Sequence, residues 1–213
     1  MIDSELIRLA SDFRVFAVMR GQSAESALRA AEAAIVGGIK LIQVSLATPG
    51  SYRVISDLRH SYGDRAYIGA SSVTTYEQVD RAIKSGAQYI SMPHTSTLLI
   101  DLCRRYRIPA IIGALTPTEV SNAASLGAAI VNVFPAISLG GPEYFSGLAS
   151  RMSDFRLIAE GGVGAENIVD YFNAGAYAVA VGRRLFTPGD IQNSNYVAIA
   201  ERARGMLRLA GMA

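Results

Sequence analysis

The sequence predicts an α/β fold, a (β/α)8 barrel preceded by one extra N-terminal helix, and three observations predict it. Eight short apolar runs are spaced along the 213 residues, longer stretches of helical period separate them, and a glycine turn recurs just before a run. A strand followed by a helix eight times over is the chain pattern of a closed parallel barrel, and a length near 200 residues suffices for one. An open doubly wound sheet is the competing arrangement. The regular spacing of the units and the lack of a G-x-G-x-x-G fingerprint argue against it.

The runs are Val15–Met19, Leu41–Leu46, Ala66–Ala70, Gln88–Met92, Ala110–Gly113, Ala129–Phe134, Arg156–Glu160 and Ala178–Val181. Most are continuously hydrophobic rather than alternating, as strands covered on both faces must be. Before the first, residues 1–12 read as a helix closing the barrel bottom. Between the first two runs, Ala24–Val36 is alanine-rich and strongly helical. At Thr74-Thr75-Tyr76-Glu77 a threonine and a following glutamate suggest a capping box. Thr116-Pro117 places proline in the first turn of a helix behind a threonine cap. Gly37-Gly38, Gly86, Gly127 and Gly175 end helices in one recurring helix-to-strand turn, since glycine supplies the left-handed closing residue. Residues 191–209 complete the pattern as the last helix.

Half of the residues are hydrophobic, enough for one sizeable core, and no Pro/Ser linker divides the chain, so residues 1–213 are expected to form one domain. The formal charge of +2 is spread along amphipathic stretches, which gives no footprint for nucleic acid. A lone Cys103 leaves no intramolecular disulfide and fits a reducing compartment. The start Met1-Ile2-Asp3-Ser4-Glu5 lacks a basic signal-peptide head, and no apolar run reaches the ~18 residues of a membrane span. A cytoplasmic protein without membrane contact is expected.

Chemistry in such barrels sits at the C-terminal ends of the strands. Glu160-Gly161-Gly162 ends the seventh run and Gly182-Arg183-Arg184 follows the eighth. Loops at these two places often hold phosphate. Glycines let the backbone approach the anion, free amides face it, and Arg183 adds a charge-assisted bond. The bland alternative is that the glycines only make tight turns.

With these loops in view, the chain resembles the 2-keto-3-deoxy-6-phosphogluconate (KDPG/KHG) aldolase family, and within it the 2-oxo-3-deoxygalactonate 6-phosphate aldolases. The phrases that carry the resemblance are Val18-Met19-Arg20-Gly21, Leu41-Ile42-Gln43-Val44-Ser45-Leu46, Tyr67-Ile68-Gly69-Ala70-Ser71-Ser72-Val73, Ile90-Ser91-Met92-Pro93, Asn132-Val133-Phe134-Pro135, Gly140-Gly141-Pro142-Glu143-Tyr144 and Gly161-Gly162-Val163. The resemblance implies a TIM barrel, a trimer and class I chemistry. In that chemistry a strand-six lysine forms an imine with pyruvate, and a strand-two glutamate moves the proton through water. It also implies an arginine after strand one and a threonine after strand three that hold the substrate, with phosphate on the last two loops.

Carried over position by position, Arg20, Pro93, Phe134, Gly161, Gly162 and Gly182 agree with that pattern, and Ser72 keeps the hydroxyl of the threonine. The reactive pair departs from it. Asn132 stands at the imine position and Gln43 at the glutamate position, while Glu160 and Arg183 replace a small or neutral residue and a serine. An amide nitrogen is no imine-forming amine, and a glutamine cannot move a proton near neutral pH. The two lysines, Lys40 and Lys84, fall before the second run and late in a helix, away from any strand C-terminus.

The sequence therefore predicts a barrel that binds a small phosphorylated or 2-oxo acid ligand without imine chemistry. Arg20, Gln43, Ser72, Pro93, Thr116, Asn132 and Phe134 are the candidate ligand contacts. Gly161, Gly162, Gly182 and Arg183 are the candidate phosphate contacts. An enzyme of other chemistry, a lyase or isomerase, would use Glu160 or His94 as its acid or base. For Glu160 an ion pair with Arg20, Arg183 or Arg184 is the structural alternative, and for His94 a place on the rim. A regulatory or structural trimer is the third reading. No cofactor is expected, and the separated His60 and His94 do not make a metal-ligand set.

Overall fold

A computed structural model describes residues 3–212. It opens with helix α1 (Ser4–Phe13). The strands β1 (Val15–Met19), β2 (Leu41–Ser45), β3 (Tyr67–Ser71), β4 (Tyr89–Met92), β5 (Ala110–Ala114), β6 (Ile130–Val133), β7 (Leu157–Glu160) and β8 (Ala178–Val181) follow in turn. The helices between and after them are α2 (Ala24–Val36), α3 (Ser51–Tyr62), α4 (Tyr76–Lys84), α5 (Thr97–Arg105), α6 (Pro117–Ser125), α7 (Pro142–Arg151), α8 (Ile168–Asn173), α9 (Pro188–Gln192) and α10 (Tyr196–Leu209). The strands close in sequence order into a parallel barrel, β8 pairing back on β1 through Val15–Val179 and Ala17–Val181. The (β/α)8 architecture expected from the sequence is the architecture observed.

Local signals explain most boundaries. Ser23 caps α2 by accepting the Ser26 N–H at 3.2 Å. Thr116 caps α6 in a full capping box with Glu119, with Pro117 at the first helical position. Three expectations need correction. The capping box of α4 uses Thr75 and Gln78, not Glu77. With Thr75 as the cap, the box partner must stand three residues on, and Gln78 does. The last helix is broken: α9 stops at Gln192, and Asn195 starts α10 afresh by accepting the Ala198 N–H. The N-terminal helix runs over Ser4–Phe13; Met1 and Ile2 lie outside the described residues.

The barrel interior is apolar at its base and polar toward its mouth. At the base, Leu6 and Ala10 of α1 pack on Phe16, Leu41, Tyr67 and Tyr89. The Tyr67 and Tyr89 rings stack at 5.4 Å between centroids, and Phe16 meets Tyr89 edge-on at 6.1 Å. The Tyr89 ring occupies the space beside Gly69, where an added Cβ would lie 2.5 Å from it. Its hydroxyl donates to the Ile42 carbonyl at 2.9 Å. Tyr177 ties α1 down by donating to the Ile7 carbonyl at 2.9 Å. One turn of strand higher, the buried interior residues are Gln43, Ser45, Ser71, Ser91 and Asn132. A second apolar shell, contributed by the outward strand faces and the helices, surrounds the barrel. Among the described residues no helix is long and apolar enough to cross a membrane.

Candidate active site at the barrel mouth

A cavity of about 680 Å³ opens at the C-terminal ends of the strands. Eight of the candidate residues line it. They are Arg20, Ser72, Phe134, Glu160, Gly161, Gly162, Gly182 and Arg183. The lining also includes Ser45, Gln22 and the α9 residues Pro188, Ile191 and Gln192. Sequence reading had not placed α9 over the mouth. Its signal was present, since Thr187-Pro188 is a capped helix start and Thr187 accepts the Asp190 N–H at 3.2 Å.

The β7 loop owes its glycines to packing as well as to the cavity. Gly161 and Gly162 have φ of +92° and +84°, and a Cβ on Gly162 would lie 2.6 Å from the Cβ of Ile137. Ile137 belongs to a 3-10 turn, Ala136–Leu139, that follows β6 and donates its N–H to the Gly161 carbonyl at 3.1 Å. The glycines thus let two loops pack together, the role of tight turns that the sequence left open. Among the described residues the N–H groups of Gly162, Arg183 and Arg184 donate to no backbone carbonyl, so the same loops leave unspent donors on residues that line the cavity.

Charge at the mouth is arranged by strand. Arg20 follows β1 and Arg183 follows β8, adjacent hydrogen-bonded strands, so the two residues stand on one side of the mouth. Both are exposed, and among the described residues neither has a carboxylate within 4.0 Å. Arg184 is engaged, pairing with Glu166 at 3.2 Å. Opposite, Ser72 takes a left-handed φ of +62° and brings its Oγ to 3.0 Å from Ser45 Oγ. A non-glycine residue held there stores strain, a common mark of a functional position.

Glu160 forms the floor. Its carboxylate accepts a hydrogen bond from Asn132 Nδ2, across the paired β6 and β7. None of the arginines expected as ion-pair partners reaches it: Arg184 is taken by Glu166, and Arg20 and Arg183 stand at the rim. Burial pushes the Glu160 carboxyl above its ordinary value, and the Asn132 hydrogen bond partly offsets this. Asn132 and Gln43 lie beneath the floor, not in the cavity wall, at 4% and 0% exposure. Gln43 Nε2 and Oε1 and Asn132 Oδ1 are buried without a hydrogen-bond partner among the described residues.

The remaining candidates stand apart. Pro93 and His94 are exposed on the β4 loop, outside the cavity lining. Thr116 is also outside it, and its hydroxyl is occupied in capping α6. Lys40 precedes β2 at the opposite rim, and Lys84 on α4 pairs with Asp80 at 2.8 Å on the surface. Cys103 is buried in α5, where burial pushes its thiol up to about 12. Among the described residues no three His, Cys, Asp or Glu side chains gather as a metal-holding group.

Comparison with known proteins places this barrel. The family described as Aldolase: KDPG and KHG aldolase matches residues 6–202. The chain belongs to this aldolase family. It is 32% identical over 176 residues to the 2-dehydro-3-deoxy-6-phosphogalactonate aldolase of Escherichia coli K12, a match covering 82% of this chain and 85% of that one. It is 32% identical over 158 residues to the 2-dehydro-3-deoxy-phosphogluconate aldolase of Treponema pallidum, covering 74% and 75%. Among solved structures, a native KDPGal structure superposes with a TM-score of 0.83 at 29% identity, covering 92% of this chain and 94% of that one. The aldolase family membership read from the strand-end phrases is therefore shown, as is the shared barrel.

Proposed function

We propose that this member of the KDPG and KHG aldolase family binds a small phosphorylated or 2-oxo acid ligand at its strand C-terminal end and has lost imine-based aldolase chemistry. The observation that carries the proposal is the Asn132–Glu160 hydrogen bond on the cavity floor. At the position where the resemblance calls for the imine lysine there is an amide, already committed to a carboxylate. Neither lysine of the chain lines the cavity. Gln43, in place of the family's glutamate, carries no titratable proton to exchange. The unspent amides of the β7 and β8 loops, with Arg20 and Arg183 beside them, support phosphate as the anchoring group.

A second reading keeps catalysis without the imine. A carboxyl whose affinity for protons is raised by burial, facing the cavity, has the character of a general base or acid. Glu160 then serves a lyase or isomerase acting on a phosphosugar acid. In either reading the chain assembles as a homotrimer in the cytoplasm. Apolar Phe134, Ile137 and Leu139 exposed after β6 support the assembly, and one reduced, buried cysteine supports the compartment.

Borohydride reduction in the presence of pyruvate, followed by intact-protein mass measurement, tests the loss of imine chemistry. An unchanged mass is expected, and a pyruvyl adduct overturns the proposal. Isothermal titration with inorganic phosphate tests the anchoring group, with weakened binding expected for Arg183→Ala.

A further inference from the structure

Every cation of the mouth stands on one side of it. Arg20 and Arg183 leave the adjacent strands β1 and β8, next to the unspent amides of Gly162 and Arg183. A phosphate seated there uses all of them together. The rest of the cavity has a different chemistry. Its polar groups are the Ser45 and Ser72 hydroxyls, 3.0 Å apart, and the Glu160 carboxylate with Asn132 behind it. Among the described residues no lysine or arginine nitrogen comes within 4.0 Å of the Glu160 carboxylate, and its one hydrogen-bond donor is Asn132 Nδ2.

These groups discriminate between ligand tails. A hydroxyl can donate to the Glu160 carboxylate and accept from Ser45 or Ser72. A ligand carboxylate offers only acceptors, and at the floor it would face a carboxylate with no cation to offset the repulsion. We propose that the ligand of this pocket is a sugar or polyol phosphate whose tail is hydroxylated and free of carboxylate. Glu160 is the residue that rejects acids. Asn132 is a positioning residue that holds the Glu160 carboxylate toward the tail. This inference rests on the anion-binding reading above, and it selects among the ligands that reading admits.

Two three-carbon probes separate the possibilities. Glycerol 3-phosphate and 3-phosphoglycerate share a skeleton and a phosphate and differ in a CH2OH against a carboxylate. Each is titrated into the full-length protein by calorimetry at pH 8, with inorganic phosphate as the reference. Glycerol 3-phosphate is expected to bind at least tenfold more tightly than 3-phosphoglycerate in the parent protein. In Glu160→Gln the two should come within about threefold of each other, through a gain for 3-phosphoglycerate. Circular dichroism of the variant confirms that it is folded, and Glu160→Ala serves in its place if it is not. Equal affinities in the parent protein, or preference for 3-phosphoglycerate, overturn this inference while phosphate binding upholds the underlying reading. An unchanged preference in a folded Glu160 variant removes Glu160 as its cause and overturns the inference too. If inorganic phosphate and both probes fail to bind, the anion-binding reading itself falls.

Discussion

Asn132 on β6 donates its side-chain amide to the carboxylate of Glu160 on β7, and among the described residues this is the one hydrogen bond to the acid on the floor of a cavity otherwise rimmed by arginines. It sets two properties at once. It occupies the place where the family resemblance calls for a nucleophile, and it partly offsets the cost of burying a carboxyl without a cation.

That cost has a pH signature. A carboxyl whose folded-state pKa lies above its unfolded value binds more protons in the folded chain, so stability falls as pH rises through the interval between the two values. Below the unfolded value both states are protonated and no penalty exists; above the folded value the penalty is complete. Glu160→Gln is therefore expected to be more stable than the parent at pH 8 and to lose this advantage toward pH 4. Urea unfolding midpoints at the two pH values check it, and a pH-independent difference between the proteins would contradict it.

Gly162 serves the packing of two loops, so its replacement reads out in stability. Alanine there meets both a left-handed φ of +84° and the Ile137 Cβ 2.6 Å away. The expected loss for Gly162→Ala is roughly 2–4 kcal/mol, combining a left-handed backbone cost with overpacking. Denaturant titration measures it. A variant as stable as the parent would show that the loop relaxes freely.

Thr116 separates a capping role from a ligand role. Its hydroxyl accepts the Glu119 N–H, and Glu119 in turn accepts from the N–H groups of Leu115 and Thr116 at 2.8 Å each. Thr116→Ala is expected to cost about 1 kcal/mol of stability and to leave phosphate affinity unchanged. The backbone donors of Thr116 and Leu115 hold the Glu119 carboxyl below its ordinary value, so this support is present at neutral pH and lost as pH falls through the folded pKa. Calorimetric titration with phosphate and unfolding curves decide between the two roles.

Arg202 reaches from α10 to the β8 loop, donating to the Leu185 carbonyl at 2.7 Å and pairing with Asp190 of α9 at 2.8 Å. It does not line the cavity, yet it braces two elements that do. Arg202→Ala is expected to destabilise the chain by about 1–3 kcal/mol and to weaken phosphate binding without touching the anion. Unfolding together with phosphate titration checks both; full retention of affinity would make the brace purely structural.

Much of this was legible without coordinates. Continuous apolar runs mark strands covered on both faces, and the glycine turn between helix and strand repeats with them, so the barrel and its reactive end follow from pattern alone. The cap of α6 was legible too, because it depends on residues three apart. The break between α9 and α10 was not, because Gln192-Asn193-Ser194-Asn195 interrupts a stretch whose periodicity continues on both sides. Nor was the separation of Gln43 and Asn132 from the cavity wall. Gln43 and Ser45 point the same way from one strand and both are buried, and only the height at which the barrel fills decides that Ser45 lines the cavity and Gln43 does not.

By itself the sequence determined the eightfold alternation, the end of the barrel that carries the site, and which residue types stand at each strand terminus. Tertiary structure alone decided which of them meet. Pro93, His94 and Thr116 share that end with Arg20 and Ser72 yet stay outside the cavity, and Glu160 is tied to Asn132 rather than to any of three nearby arginines. The physical reason is that strand order and side-chain alternation are local properties of the chain. The partner of a buried charge is set by which neighbouring strand, at which height in a closed barrel, can offer it a donor.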